Sequence, residues 1–255
     1  MNIFLMQFKN EFKKIVKHKK FIVLLIIEIV ICAMWGLSTY LIAKASNGVI
    51  LTNFAFRGLS LSALSFFLQV YIPLIIIMNA CDLFNLEFND LTIKASFMRP
   101  ISRCKIYFSK VLALFAVATI YVFALFAATN IVGVLGSGFS YRTRGFDFIR
   151  DFFIYFVDLL PILIVILFVS MMMQVFKSPT LAILLSIVVC VALNMIAILQ
   201  PSVGVMLFTN YMQWHKLFFG IAVPVTAIIN KLALLGGYIM VFAGAGYYLF
   251  ERREL

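Results

Sequence analysis

Residues 21–43 read FIVLLIIEIVICAMWGLSTYLIA, with Lys19 and Lys20 just before them and Lys44 just after. That run carries a single charge, Glu28. A helix rises about 1.5 Å per residue and a bilayer's hydrocarbon core is about 30 Å thick, so about 20 apolar residues cross it. The stretch therefore reads as a membrane span stopped at each end by lysine. Five further runs of the same character follow at 61–81, 111–135, 152–173, 181–199 and 232–250. The 255-residue chain is 64% hydrophobic and 12% charged, whereas soluble domains run near half and a quarter, so lipid must face much of it. The expected fold is an all-α membrane protein of six transmembrane helices filling residues 21–255.

Charge orients the spans, because cytoplasmic flanks carry the Lys/Arg excess. Lys9, Lys13, Lys14, Lys17, Lys19 and Lys20 precede the first span, Lys94, Arg99, Arg103, Lys105 and Lys110 follow the second, and Arg252 and Arg253 close the chain. Six spans put all three groups on one side, which predicts a bacterial plasma-membrane protein with both termini cytoplasmic. Arg142, Arg144 and Arg150 are then the outward-facing exception. The net charge of +11 thus reports orientation and contact with anionic lipid rather than nucleic acid.

Two segments outside the spans need their own reading. In residues 1–20, Met1, Leu5, Phe8, Phe12 and Ile15 recur at helical steps while Lys9, Lys13, Lys17 and Lys20 line another face. This predicts an amphipathic helix in the membrane interface. It is not a signal peptide, since the stretch is long and no small-residue cleavage pattern follows. Residues 200–231 are rich in Phe, Val and Ile but broken by Pro201, Asn210, His215, Lys216 and Pro224. Such a segment predicts a re-entrant element before the last span, because irregular backbone at membrane depth needs shelter.

Chemistry has little to work with. The chain has no GxxxxGK[ST] phosphate loop, no HExxH and no GxSxG. Cys32, Cys81, Cys104 and Cys190 are scattered, and the histidines are His18 and His215. No catalytic or metal site is expected, and no cofactor in this chain. Glu28 and Asp158 lie well inside spans, where a charge costs about 2.5–3.5 kcal/mol on insertion scales. They read either as interhelical hydrogen-bonding groups or as walls of a translocation path, with no Lys, Arg or His at a matching depth. Gln69, Asn79 and Asn194 read as interhelical glue, and Gly236, Gly237, Ala243, Gly244, Ala245 and Gly246 as a face for close helix approach.

The connection after the second span, within 85–105, runs Glu87-Phe-Asn-Asp90-Leu91-Thr92-Ile93-Lys94-Ala-Ser-Phe97-Met98-Arg99-Pro100-Ile101-Ser102-Arg103 and leads to Lys110. A short helix here, stopped by Pro100, can offer Leu91, Ile93, Phe97 and Met98 to a partner's groove while Arg99 and Arg103 steer toward acidic surface. The arrangement resembles the permease subunits of type-2 ABC transporters, on Glu87, Thr92, Ile93, Pro100, Ile101, Ser102, Arg103 and Lys110. Leu91 departs from that pattern, which often has Gly there. The resemblance implies an ATPase-coupling loop formed by Glu87, Asp90, Leu91, Thr92, Ile93, Phe97, Met98, Arg99, Pro100, Ser102 and Arg103. It also implies cytoplasmic ABC ATPase subunits that bind ATP and Mg, and a second permease, identical or paralogous.

The function expected from all this is the permease of an ATP-driven exporter for amphiphilic or antimicrobial peptides or hydrophobic drugs. The alternative is a proton-coupled secondary carrier or channel using Glu28 and Asp158. An intramembrane enzyme would need paired reactive groups at one depth.

Overall fold

A computed structural model describes residues 3–45, 59–87, 102–137, 145–176, 178–218 and 225–252. Those residues are helical almost throughout, without strands. Six helices among them are long and apolar enough to cross a membrane. The chain is an all-α membrane protein.

Helix α1 (Ile3–Lys17) turns at His18 into α2 (Lys19–Ala45). Helix α3 (Leu59–Leu86) is one long rod with two π turns, Phe67–Tyr71 and Asp82–Leu86. The first π turn lies just before Pro73, whose missing N–H cannot bond the Gln69 carbonyl a turn earlier. Helix α4 (Arg103–Ser137) starts eight residues ahead of the expected span, so Arg103 to Lys110 belong to it. The fourth span is two pieces, α5 (Gly145–Val157) and α6 (Leu159–Val175), joined at Asp158. Pro161 explains the break, because it has no N–H to return to the Val157 carbonyl. Helix α7 (Pro179–Leu199) follows, then a short turn (Pro201–Gly204), a 3-10 stretch (Phe208–Phe218) and α8 (Val225–Arg252). The last helix thus takes over 225–231, which the sequence reading had assigned to the re-entrant segment.

Helices α3, α4 and α6 form the centre, with α2 and α1 against α4, and α8 against α6. The largest buried side chains include three tyrosines that stitch helices together through their hydroxyls. Tyr107 on α4 meets Ser170 Oγ on α6 at 2.9 Å, Tyr121 donates to the Phe21 carbonyl of α2 at 2.9 Å, and Tyr155 donates to the Ser60 carbonyl of α3 at 2.9 Å. A buried aromatic with a satisfied polar tip gives area and register at once.

The glycines of α8 divide in two. A Cβ at Gly246 would sit 2.2 Å from the Tyr107 hydroxyl, so close internal packing accounts for it, whereas Gly236, Gly237 and Gly244 face open space. Asn79 donates its amide to the Ile75 carbonyl of its own helix at 2.8 Å, a bond within α3. All four cysteines are free thiols.

Candidate functional site

The three basic regions of the sequence meet at one end of the bundle. Lys20 pairs with Asp82 at 3.0 and 3.1 Å, tying the start of α2 to the end of α3. Arg103 Nη1, at the start of α4, donates to the Glu251 carbonyl at 2.6 Å, near the end of α8. An arginine on the last carbonyls of a helix meets the negative end of its dipole.

Between these contacts lies a buried ionic cluster. Lys110 is fully buried, with Nζ 2.6 Å from Glu87 Oε2, 3.3 Å from Glu11 Oε2 and 3.0 Å from the Leu83 carbonyl. The other Glu87 oxygen pairs with Lys14, and Gln7 Nε2 donates to Glu11 Oε1 at 2.8 Å. Two cations from α1 and α4 therefore balance two anions from α1 and the last described residue of α3. A buried charge is tolerated when paired and hydrogen-bonded, and here each carboxylate has partners. Burial pulls the Lys14 ammonium down, but the hydrogen bond and charge of Glu87 and the charge of Glu11 outweigh it. Its pKa stands above the ordinary 10.5.

The cluster also shows which residues α1 buries. The residues it buries are Gln7, Glu11 and Ile15, at steps of four. Phe8 and Phe12 are half-buried on the flank, Leu5 is exposed, and Lys9, Lys13 and Lys17 point outward. Helix α1 thus docks by Gln7, Glu11 and Ile15, with Phe8 and Phe12 packed partly against the core beside them and Leu5 exposed. Glu11, the only acid in the first 27 residues, was the available sign of this docking.

Of the expected coupling residues, Glu87, Ser102 and Arg103 flank the loop; Asp90, Leu91, Thr92, Ile93, Phe97, Met98, Arg99 and Pro100 lie outside the described residues, as do Arg142 and Arg144. Arg150 is at the end of the bundle remote from Lys110, 3.6 Å from Asp151.

At the other expected sites, Glu28 is fully buried on α2, and neither of its oxygens has a hydrogen-bond partner among the described residues. Asp158, also fully buried, has a partner that sequence reasoning missed. His215 Nδ1 of the 3-10 stretch is 3.0 Å from Asp158 Oδ2. The expectation of no basic group at matching depth was wrong, because an irregular stretch has no periodicity from which to read depth.

Beside the 3-10 stretch, a cleft of about 460 Å³ opens between α3 and α7. Its wall is mostly apolar, with four amides, Gln69, Asn194, Asn210 and Gln213, and the Cys190 thiol. Gln69 belongs to the first π turn of α3.

A family model described as ABC-2 family transporter protein matches residues 7–194, from the docking edge of α1 into the last third of α7. The chain belongs to that family. It is therefore an ABC-2-type membrane permease, a membrane subunit that works with an ABC ATPase partner. The match includes every member of the ionic cluster and Asp158, but neither His215 nor α8. Comparison with curated proteins returned no match.

Proposed function

We propose that this ABC-2 permease is the membrane half of an exporter of amphiphilic or antimicrobial peptides or hydrophobic drugs. The observation that carries the reading is the cluster of buried Lys110, Glu87 and Glu11 with the half-exposed Lys14, which joins α1, the end of α3 and the start of α4 into one unit on either side of the loop 88–101. An ATPase docked on that loop pulls on all three elements together. The end carrying Lys20, Lys110 and Arg103 faces the cytoplasm of a bacterial cell, as the positive-inside rule requires, and holds both termini. Helix α1 lies in the inner interface with its Leu5, Phe8 and Phe12 flank in lipid.

Residues 205–218 form a re-entrant element, whose irregular backbone is sheltered by α6 and α7. The cleft against α3 and α7 forms half of the path, and a second permease, identical or paralogous, supplies the other half. Its mixture of apolar wall and amides suits a chain that carries both side chains and peptide groups, without fixed charge at the wall.

The test is co-purification from native membranes, with and without Arg99→Glu. An ATPase that binds ATP and Mg, retained by the unaltered chain and lost on charge reversal, supports this reading. Arg103→Glu is the less clean variant, since Arg103 also holds Glu251. No ATPase in either sample would favour a proton-coupled carrier built on Glu28 and Asp158 instead.

A further inference from the structure

The His215 ring is fully buried and touches two spans that are far apart in sequence. Its Nδ1 is 3.0 Å from Asp158 Oδ2, at the break between α5 and α6, and its Nε2 is 2.9 Å from Ser65 Oγ on α3. The Ser65 hydroxyl is also 3.1 Å from the Leu61 carbonyl, one turn earlier in its own helix. A hydroxyl has one proton to give. If it goes to Leu61, as in the usual back-bond of a helical serine, Ser65 accepts from His215 Nε2–H.

A serine, a histidine and an aspartate in this order also make the nucleophilic triad of hydrolases. Here the Ser65 hydroxyl also has the Leu61 carbonyl of its own helix to bond, which ties the histidine to the backbone of α3. What it does is hold. We propose that Asp158, His215 and Ser65 form a latch that seats the stretch Phe208–Phe218 and thereby positions Asn210 and Gln213 in the wall of the cleft. Gln213 is two residues from His215 and Asn210 five, and both face the cleft while Phe208, Tyr211, Met212 and Trp214 are buried around them. Within the stretch, Gln213 has non-helical backbone angles, so its direction is not fixed by a regular helix and depends on its neighbours' anchors. The three latch residues are positioning residues, and their effect on cargo acts through the two amides.

The latch is independent of the exporter reading, because its seating can be measured without ATP, partner or cargo. Cys190 lines the same cleft and is half-buried, so its thiol reports whether the stretch is in place. With Cys32, Cys81 and Cys104 replaced by alanine, labelling of Cys190 by N-ethylmaleimide is timed in membranes. Asp158→Asn and His215→Gln should each speed labelling by about tenfold or more, since breaking one side of a buried ion pair is a large loss. His215→Asn, whose amide can stand in for Nδ1–H toward Asp158, should restore most of the slow rate. The exchange Asp158→His with His215→Asp should do the same and guards against a variant that merely unfolds. Labelling unchanged in Asp158→Asn, or as fast in His215→Asn and in the exchange as in the single breaks, would overturn the latch.

Discussion

Lys110 and Glu87 are 23 residues apart, on opposite sides of the loop, yet Nζ and Oε2 are 2.6 Å apart in a fully buried contact. The loop is therefore pinned at both of its roots. Lys110→Met leaves Glu87 and Glu11 as two buried anions, with the half-exposed Lys14 still on Glu87. The expected loss is about 3–5 kcal/mol, read as a lower unfolding midpoint of the detergent-purified protein. Adding Glu11→Gln and Glu87→Gln to Lys110→Met should recover most of it, because a neutral buried group costs less than an unpaired charge. A midpoint unmoved by Lys110→Met would mean that the cluster is hydrated and not structural.

Lys14 gives the cluster a pH limit on the alkaline side. Its pKa in the fold is above the ordinary 10.5, so its share of the stability is fully present below that value and is lost as pH rises through the raised one. At neutral pH the docking of α1 should be insensitive to pH. Above about pH 10.5 unfolding midpoints should fall, and Lys14→Met should remove part of that fall while lowering the neutral-pH midpoint slightly. An identical alkaline profile in Lys14→Met would remove Lys14 from the account.

Packed and open glycines make opposite predictions. A Cβ at Gly36 would lie 2.0 Å from Val132 Cγ1, and one at Gly246 2.2 Å from the Tyr107 hydroxyl. Gly36→Ala and Gly246→Ala should each destabilise by about 1–3 kcal/mol through overpacking, and Tyr107→Phe should relieve part of the second. Gly237→Ala and Gly244→Ala meet nothing and should be neutral or slightly stabilising, since alanine favours helix by about 1 kcal/mol over glycine. If those two changes leave the unfolding midpoint alone but abolish pairing of permeases in crosslinking, the second subunit packs on that face of α8.

The cleft amides should matter to cargo and not to the fold. Gln69→Leu and Gln213→Leu remove hydrogen-bonding groups from the cleft wall, and the contact Gln213 loses, to Lys216, is exposed, so unfolding midpoints should stay put. Uptake of an amphiphilic test peptide into inside-out vesicles containing the partner ATPase should weaken by roughly tenfold for the pair, the effect of about 1.4 kcal/mol of lost hydrogen bonding. Unchanged uptake of every peptide tried would place the path elsewhere.

The sequence by itself determined the class of fold. Apolar runs long enough to cross a bilayer, with lysine and arginine gathered at three places, required six helices with those places at one end, and Lys20 with Asp82 and Arg103 with Glu251 show them meeting there. That information is one-dimensional: burial in lipid is a property of each run, whatever its neighbours are. Membership of the ABC-2 family was equally legible, because the resemblance follows residue order. Tertiary structure alone decided which polar groups face each other. Glu11 meets its partner only because α4 brings Lys110 to it, and Asp158 reads as unpaired until the irregular stretch after α7 returns His215 to it. Gly236 and Gly246 are alike in the chain and differ only in what lies opposite. Pairing across helices depends on rotation and depth in three dimensions, set by packing over the whole bundle and by local breaks such as those near Pro73 and Pro161.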